Sequence, residues 1–311
     1  MGVTSFKSLL QFGTRAPLGQ GGSENPDLAP AMFWGGGMII DPRVGYNVTR
    51  KGALGWYAMP DMVVIDQVPS AISATNIAAA QAAVAATPLT LVSTTGAGIT
   101  VLATALQVWA SSTVVPVGAL AIDGVPGILS FGLPSVSTGT TTISAYDPTK
   151  AIARNLRYTS VGNDSGGTIT AVGYDLYGYP QTETVTLANA GIASGVKTFK
   201  FITSITPAGS ISGSNISVGT GDVYGFPIRV DEFALVGINW NNTSITANTG
   251  FVAAVTTTAT ATTGDVRGTY ATQSASDGTK KMTIITSLSP GNISTMASGS
   301  GAAGLVGVTP A

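Results

Sequence analysis

The chain has 311 residues, with 14 Lys+Arg against 15 Asp+Glu, a formal net charge of -1, no His and no Cys. These counts exclude disulfide and thiolate chemistry, imidazole bases, His-dependent triads and His- or Cys-ligated metals, and the near-zero net charge argues against a nucleic-acid partner held through phosphates. Only 9 % of residues are charged, against roughly 25 % in an ordinary soluble domain, so much of the surface is expected to be covered by partners.

The first residues, Met1-Gly-Val-Thr-Ser-Phe-Lys7, carry one cation and then Leu9-Leu10-Gln11-Phe12, too short an apolar run for a secretory leader. Residues 1–60 are read as an extended N-terminal arm. Gly19-Gln-Gly-Gly22, Pro26, Pro30, Gly35-Gly-Gly37 and Pro42 break the chain repeatedly, and apolar side chains sit between the breaks. An arm of this kind orders on a neighbour because alone it cannot offset its chain entropy. Its candidate contact residues are Phe6, Phe12, Phe33 and Trp34, with Arg15, Arg43 and Arg50 as polar clasps.

A first β domain is expected over 61–146. It opens with a short Ala-rich helix near 73–86, where Ser73-Ala-Thr75 supplies a cap, the Ala-rich run Asn76–Ala86 supplies propensity and Pro88 supplies a stop. Strand-like runs follow at Leu89–Val92, Ile99–Leu102, Ala105–Trp109, Val114–Val115, Leu120–Ile122 and Ile128–Phe131, with Gly96-Ala-Gly98, Asp123-Gly124 and Pro126-Gly127 as turns. The apolar stretch Ile99–Ile122 is interrupted by Gln107, Ser111, Ser112, Thr113, Pro116 and Gly118, which reads as short strands rather than a membrane span.

Asp147-Pro148 is expected to be a hinge into a second β-sandwich domain, 147–311. There Thr168–Val172, Thr182–Leu187 and Thr198–Ile205 alternate apolar with Thr, Ser, Lys and Glu, the period-2 signature of strands with one wet face. Ile216–Val218, Pro227–Val230, Ala234–Trp240, Phe251–Val255 and Lys281–Ile285 continue the series, and Ser289–Ala311 is a Gly/Ser/Ala-rich tail. The fold class is therefore all-β, with β-sandwich domains of jelly-roll or Ig-like type, an N-terminal arm and one helix.

One hexapeptide pattern, Asp, aliphatic, Tyr, Gly, aromatic, Pro, occurs twice, as Asp175-Leu-Tyr-Gly-Tyr-Pro180 and Asp222-Val-Tyr-Gly-Phe-Pro227, with a weaker echo at Gly264-Asp-Val-Arg-Gly-Thr-Tyr270. An Asp that bonds backbone N–H groups, followed by a Gly free to take positive φ, is turn chemistry, so Asp175, Tyr177, Gly178, Asp222, Tyr224, Gly225 and Asp265 are candidate turn residues. A rival reading makes Tyr177, Tyr179, Tyr224 and Trp240 a stacking platform for glycans. Carboxylate pairs suited to glycoside hydrolysis are absent at useful spacing: Asp231 and Glu232 are adjacent, and Asp61 and Asp66 bracket Met62–Ile65 on opposite parities. Asn163-Asp-Ser-Gly-Gly167 lacks the acid ladder of a calcium loop and reads as a hairpin turn.

From about Ala145 onward the chain resembles structural proteins of tailed-phage virions that accompany the major capsid protein. The residues that carry the resemblance are Tyr146-Asp-Pro-Thr-Lys150, Arg154 with Arg157, Thr168–Pro180, Thr182–Thr186, Gly195–Lys200, Gly221–Pro227 and Thr262–Tyr270 with Ser276–Lys280. The resemblance implies a head decoration (cement) protein, on the capsid exterior of the virion and made in the host cytoplasm, with tail or fibre components as the alternative. It implies the major capsid protein and further copies of this chain, most readily a trimer, as partners. No catalytic residues come with the resemblance; the expectation is a non-enzymatic protein with no cofactor, no metal-ligating residues assigned and any bound metal ion left open, and composition argues against nucleic-acid and membrane partners.

Overall fold

A computed structural model describes residues 62–93, 98–108, 113–122, 126–134, 140–230, 235–246, 249–255, 260–261, 265–287 and 309–310. The arm candidates Phe6, Phe12, Arg15, Phe33, Trp34, Arg43 and Arg50 lie outside these residues. The strands in chain order are β1 (Met62–Gln67), β2 (Ala78–Ala82), β3 (Thr100–Val101), β4 (Leu106–Val108), β5 (Thr113–Val115), β6 (Leu120–Ala121), β7 (Pro126–Pro134), β8 (Thr140–Ala151), β9 (Ala153–Ser160), β10 (Gly166–Tyr174) and β11 (Pro180–Thr186). They continue as β12 (Ile192–Ser194), β13 (Phe201–Ser210), β14 (Asn215–Gly225), β15 (Leu235–Trp240), β16 (Thr243–Ser244), β17 (Phe251–Val252), β18 (Thr260–Ala261), β19 (Thr269–Ala271), β20 (Met282–Ser287) and β21 (Thr309–Pro310). The protein is all-β, with no α-helix among the described residues, and no helix there is long and apolar enough to cross a membrane.

A five-stranded sheet, β11-β10-β13-β6-β3, and a six-stranded one, β12-β9-β14-β19-β17 with β2 also on β14, supply the main core. Alternation along each strand sends Ile169, Ala171, Ile202, Ile205 and Leu120 from the first sheet and Leu156, Tyr158, Ile216 and Val218 from the second into one buried cluster. The outer face of the five-stranded sheet carries three cross-strand rows: Thr186–Thr168–Ala208, Thr184–Thr170–Thr206 and Thr182–Val172–Ser204. None of these nine residues is charged, and Thr170 and Thr184 join hydroxyls across 2.9 Å. A third sheet, β1-β20-β15-β16, adds Ile65, Ile238, Trp240, Met282 and Ile284 to a second core that also holds Tyr224 of β14 and Tyr270 of β19.

Two expectations are overturned here. Residues 73–86 form no helix: Ser73 Oγ accepts the N–H groups of Thr75 and Asn76 as a cap would, but the chain then extends as β2 against β14, with Ala82 opposite Asn215 and Gln81 opposite Ile216. Burial decides against propensity, since Ile77 and Ala78 are fully inside the main core, and Gln81 clamps the backbone of Thr90 from both sides, accepting from its N–H at 2.8 Å and donating to its C=O at 2.9 Å. Nor does the chain divide at Asp147-Pro148. Strand β8 runs unbroken through both residues, and β1, β2 and β6 complete sheets with β20, β14 and β13, all from beyond residue 147. The sheets interleave the two halves, and Met62–Ala311 is a single unit.

Candidate functional site

The hexapeptide echo resolves into two turns and one strand. Asp175 leaves β10 and folds back on itself: its Oδ1 accepts the N–H groups of Tyr177 at 2.8 Å and Tyr179 at 2.9 Å, its C=O accepts from Gly178, and Gly178 takes φ +77°. The weaker echo is its true twin. Asp265 Oδ1 accepts the Arg267 N–H at 2.9 Å, its C=O accepts from Gly268, and Gly268 takes φ +91°. The closer sequence match, Asp222–Gly225, makes no turn and continues β14, because both neighbours hold it extended: Tyr224 lies opposite Tyr270 on one side and Arg154 on the other. Gly225 is needed there for close approach, since a Cβ would come within 2.1 Å of Thr198 Oγ1.

The twin turns are bolted together. Arg267 Nη1 donates to Asp175 Oδ2 at 2.6 Å, with both side chains almost fully buried, and its guanidinium lies 4.5 Å from the Tyr177 ring centre. Tyr177 Oη donates to the Pro227 carbonyl, and Thr198 Oγ1 donates to Asp265 Oδ2 at 2.6 Å. Burial pushes the Asp265 carboxyl up from its ordinary value, against the opposing pull of the Arg267 charge and the Thr198 hydroxyl.

A second knot centres on Arg154 of β9, which is fully buried. Its Nε donates to Gly221 O at 2.9 Å, Nη1 to Ser70 O at 2.9 Å and Ser70 Oγ at 3.0 Å, and Nη2 to Asp222 Oδ1 at 3.3 Å and Ser276 Oγ at 3.1 Å. Asp222 Oδ1 also accepts from Ser276 Oγ and Tyr224 Oη. One guanidinium thereby joins three segments far apart in sequence to its own strand. Asp164, in the expected hairpin turn, is a third hub: Ser160, Ser212 and Ser214 all donate hydroxyls to it. Burial works against its charge, but these donors and the Ser212 N–H outweigh that and hold its carboxyl below the ordinary value.

A solvent-open cleft of about 410 Å³ lies between β11 and the segment that follows β12, lined by residues including Glu183, Gly195, Val196 and Lys197. Glu183 Oε1 accepts the Val196 and Lys197 N–H groups at 2.7 and 2.8 Å, while Lys197 Nζ donates back to Thr182 O at 2.8 Å. The two side chains form a reciprocal clasp between the edge strands of the facing sheets, and inward-pointing charge is one way an edge is kept from pairing with another chain. Burial raises the Glu183 carboxyl despite those N–H groups and the Lys197 charge, and burial lowers Lys197 despite Glu183 and Asp265.

The expected turn residues are thus present, but as structural hubs, and they do not converge on one site. Tyr177, Tyr224 and Trp240 are 8 %, 1 % and 3 % exposed, which removes them as a surface for sugar stacking. Asp66 is paired with Lys281 at 2.9 Å, and no group of three or more acidic side chains that could hold a metal occurs among the described residues. Arg154, Glu183, Lys197 and Arg267 are hubs that no motif along the chain singles out. Glu183 was findable: in Thr182–Leu187 it shares parity with Val185 and Leu187, the inward set. No protein-family profile, curated protein or solved structure matches the chain.

Proposed function

We propose that this chain is a non-enzymatic structural protein of a tailed-phage virion, one that decorates the capsid shell as an oligomer and bridges neighbouring capsomers. The observation that carries the reading is where the scarce charge goes. Arg154, Asp164, Asp175, Glu183, Lys197, Lys200, Asp265 and Arg267 are all buried, and the hydrogen-bonded ones among them tie strands together. The outer face of β11, β10 and β13 is left to Thr, Ser, Ala and Val. A flat face without charge is cheap to desolvate, because no ion has to leave water when a partner covers it.

The resemblance of roughly residues 145–311 to virion proteins supplies the partner class, and the segment 1–60 supplies the length of chain for a clasp on a neighbouring subunit. The full chain should co-sediment with undecorated capsids, and the same chain lacking residues 1–40 should stay folded in the supernatant. Capsid binding undiminished by that truncation would remove the arm from the account. Absence of binding by the full chain would transfer the reading to a tail or fibre component.

A further inference from the structure

Two buried polar atoms at the clasped edge have no hydrogen-bond partner: Tyr158 Oη and Glu183 Oε2. They belong to facing sheets. Tyr158, on β9, is fully buried in the main core and lies opposite Ala193 of β12. Glu183, on β11, is 6 % exposed and points inward from the other sheet, with Oε2 held directly over Gly195, where a Cβ would come within 1.9 Å of it. Gly195 is two residues from Ala193, and its N–H is tied to Leu156 O, two residues from Tyr158. The strands that carry the two orphan atoms therefore meet at one margin of the core, beside the cleft that Glu183 and Gly195 line. Burial, and after it the Glu183 charge, pushes the Tyr158 hydroxyl well above its ordinary value.

We propose that this margin is a built site for one ordered water, which accepts the Tyr158 O–H and donates to Glu183 Oε2. An unpartnered buried donor and an unpartnered buried acceptor each carry a desolvation penalty, and a single water with two polar partners relieves both. The donor and acceptor roles match: the phenol has a proton to give, and the carboxylate oxygen has only lone pairs. The cleft gives the water a route to solvent. Glu183 Oε1 is already spent on the Val196 and Lys197 N–H groups, which fixes the carboxylate and leaves Oε2 aimed at a constant point. The edge clasp then has three parts: a carboxylate, an ammonium and a water.

A high-resolution crystal structure of the full chain tests this, paired with one of Tyr158→Phe. The expected result is a single water peak within hydrogen-bond reach of both atoms in the parent, lost or shifted off the phenyl ring in the variant with the surrounding strands unmoved. In solution, a long-lived water cross-peak to the Gly195 amide should disappear in Tyr158→Phe. A dry margin in the parent, or a direct bond from Tyr158 Oη to Glu183 Oε2, overturns the proposal. So does a water peak and cross-peak unchanged by Tyr158→Phe.

Discussion

Replacing Arg154 by Met keeps the length and most of the volume of the side chain and removes its donors. The Gly221 and Ser70 carbonyls then lose their guanidinium partner; the buried Gly221 acceptor left without a donor costs about 1–3 kcal/mol, and the half-buried Ser70 acceptor less. Asp222 suffers less, because Ser276 and Tyr224 still donate to it and its side chain is 19 % exposed. The attraction of the guanidinium for the Tyr224 ring, 5.1 Å away, is also lost. The whole change should fall near the cost of breaking a buried ion pair, roughly 3–5 kcal/mol. For a unit of this size each kcal/mol moves the midpoint by about 2–4 °C, so Tm should drop by about 6–20 °C. Thermal and urea unfolding, followed by far-UV circular dichroism and the fluorescence of buried Trp240, reads the loss. A double-mutant cycle with Asp222→Asn separates the ion pair from the carbonyl contacts. A loss below about 1 kcal/mol would refute the claim that Arg154 joins these segments.

Three further outcomes follow from the same geometry. Gly268→Ala forces a Cβ to within 2.8 Å of Val252 O at φ +91° and should cost about 1–3 kcal/mol, whereas Gly237→Ala, with nothing within 4 Å of its Cβ, should be neutral or slightly stabilising by denaturant titration. Glu183→Gln keeps the acceptor for the Val196 and Lys197 N–H groups and removes a buried charge. Because the native Glu183 carboxyl is raised above 4.5, ionisation weakens the native state as pH climbs past 4.5, so the stability advantage of the variant should grow with pH and then level off; a difference flat in pH contradicts this. Asp277 runs the other way: the Thr279 hydroxyl and the N–H groups of Thr279 and Lys280 hold it down to about 2. Its contribution is complete above 3.8 and lost as pH falls from there toward 2, so Asp277→Asn should shrink the acid loss in that window alone.

What could be read from the sequence and what could not differ by range of interaction. Period-2 alternation in Thr168–Val172 and Thr182–Leu187 is local, and it located β10 and β11 and their buried faces. The error at 73–86 arose because helix propensity is also local, whereas the backbone of β14, more than a hundred residues away, offers Ala78–Ala82 a hydrogen-bonded edge. The same limit explains the missed turn twin. Asp222–Pro227 matches Asp175–Pro180 at Asp, Tyr, Gly and Pro, but its Asp222–Gly225 part is held extended by β9 and β19, while Asp265–Gly268 shares with Asp175–Gly178 only the Asp and the Gly, the two residues the turn requires. The partner of Arg267, Asp175, is 92 residues distant, and no pattern along the chain joins them.

The most direct measurement adds purified full-length protein to undecorated capsids and images the particles by cryo-EM. Stoichiometric, symmetry-related density over the capsomer junctions is the expected result, with the uncharged face of β11, β10 and β13 or the N-terminal segment turned toward the shell. Bare capsids with the protein left free in solution would contradict the capsid-decorating role.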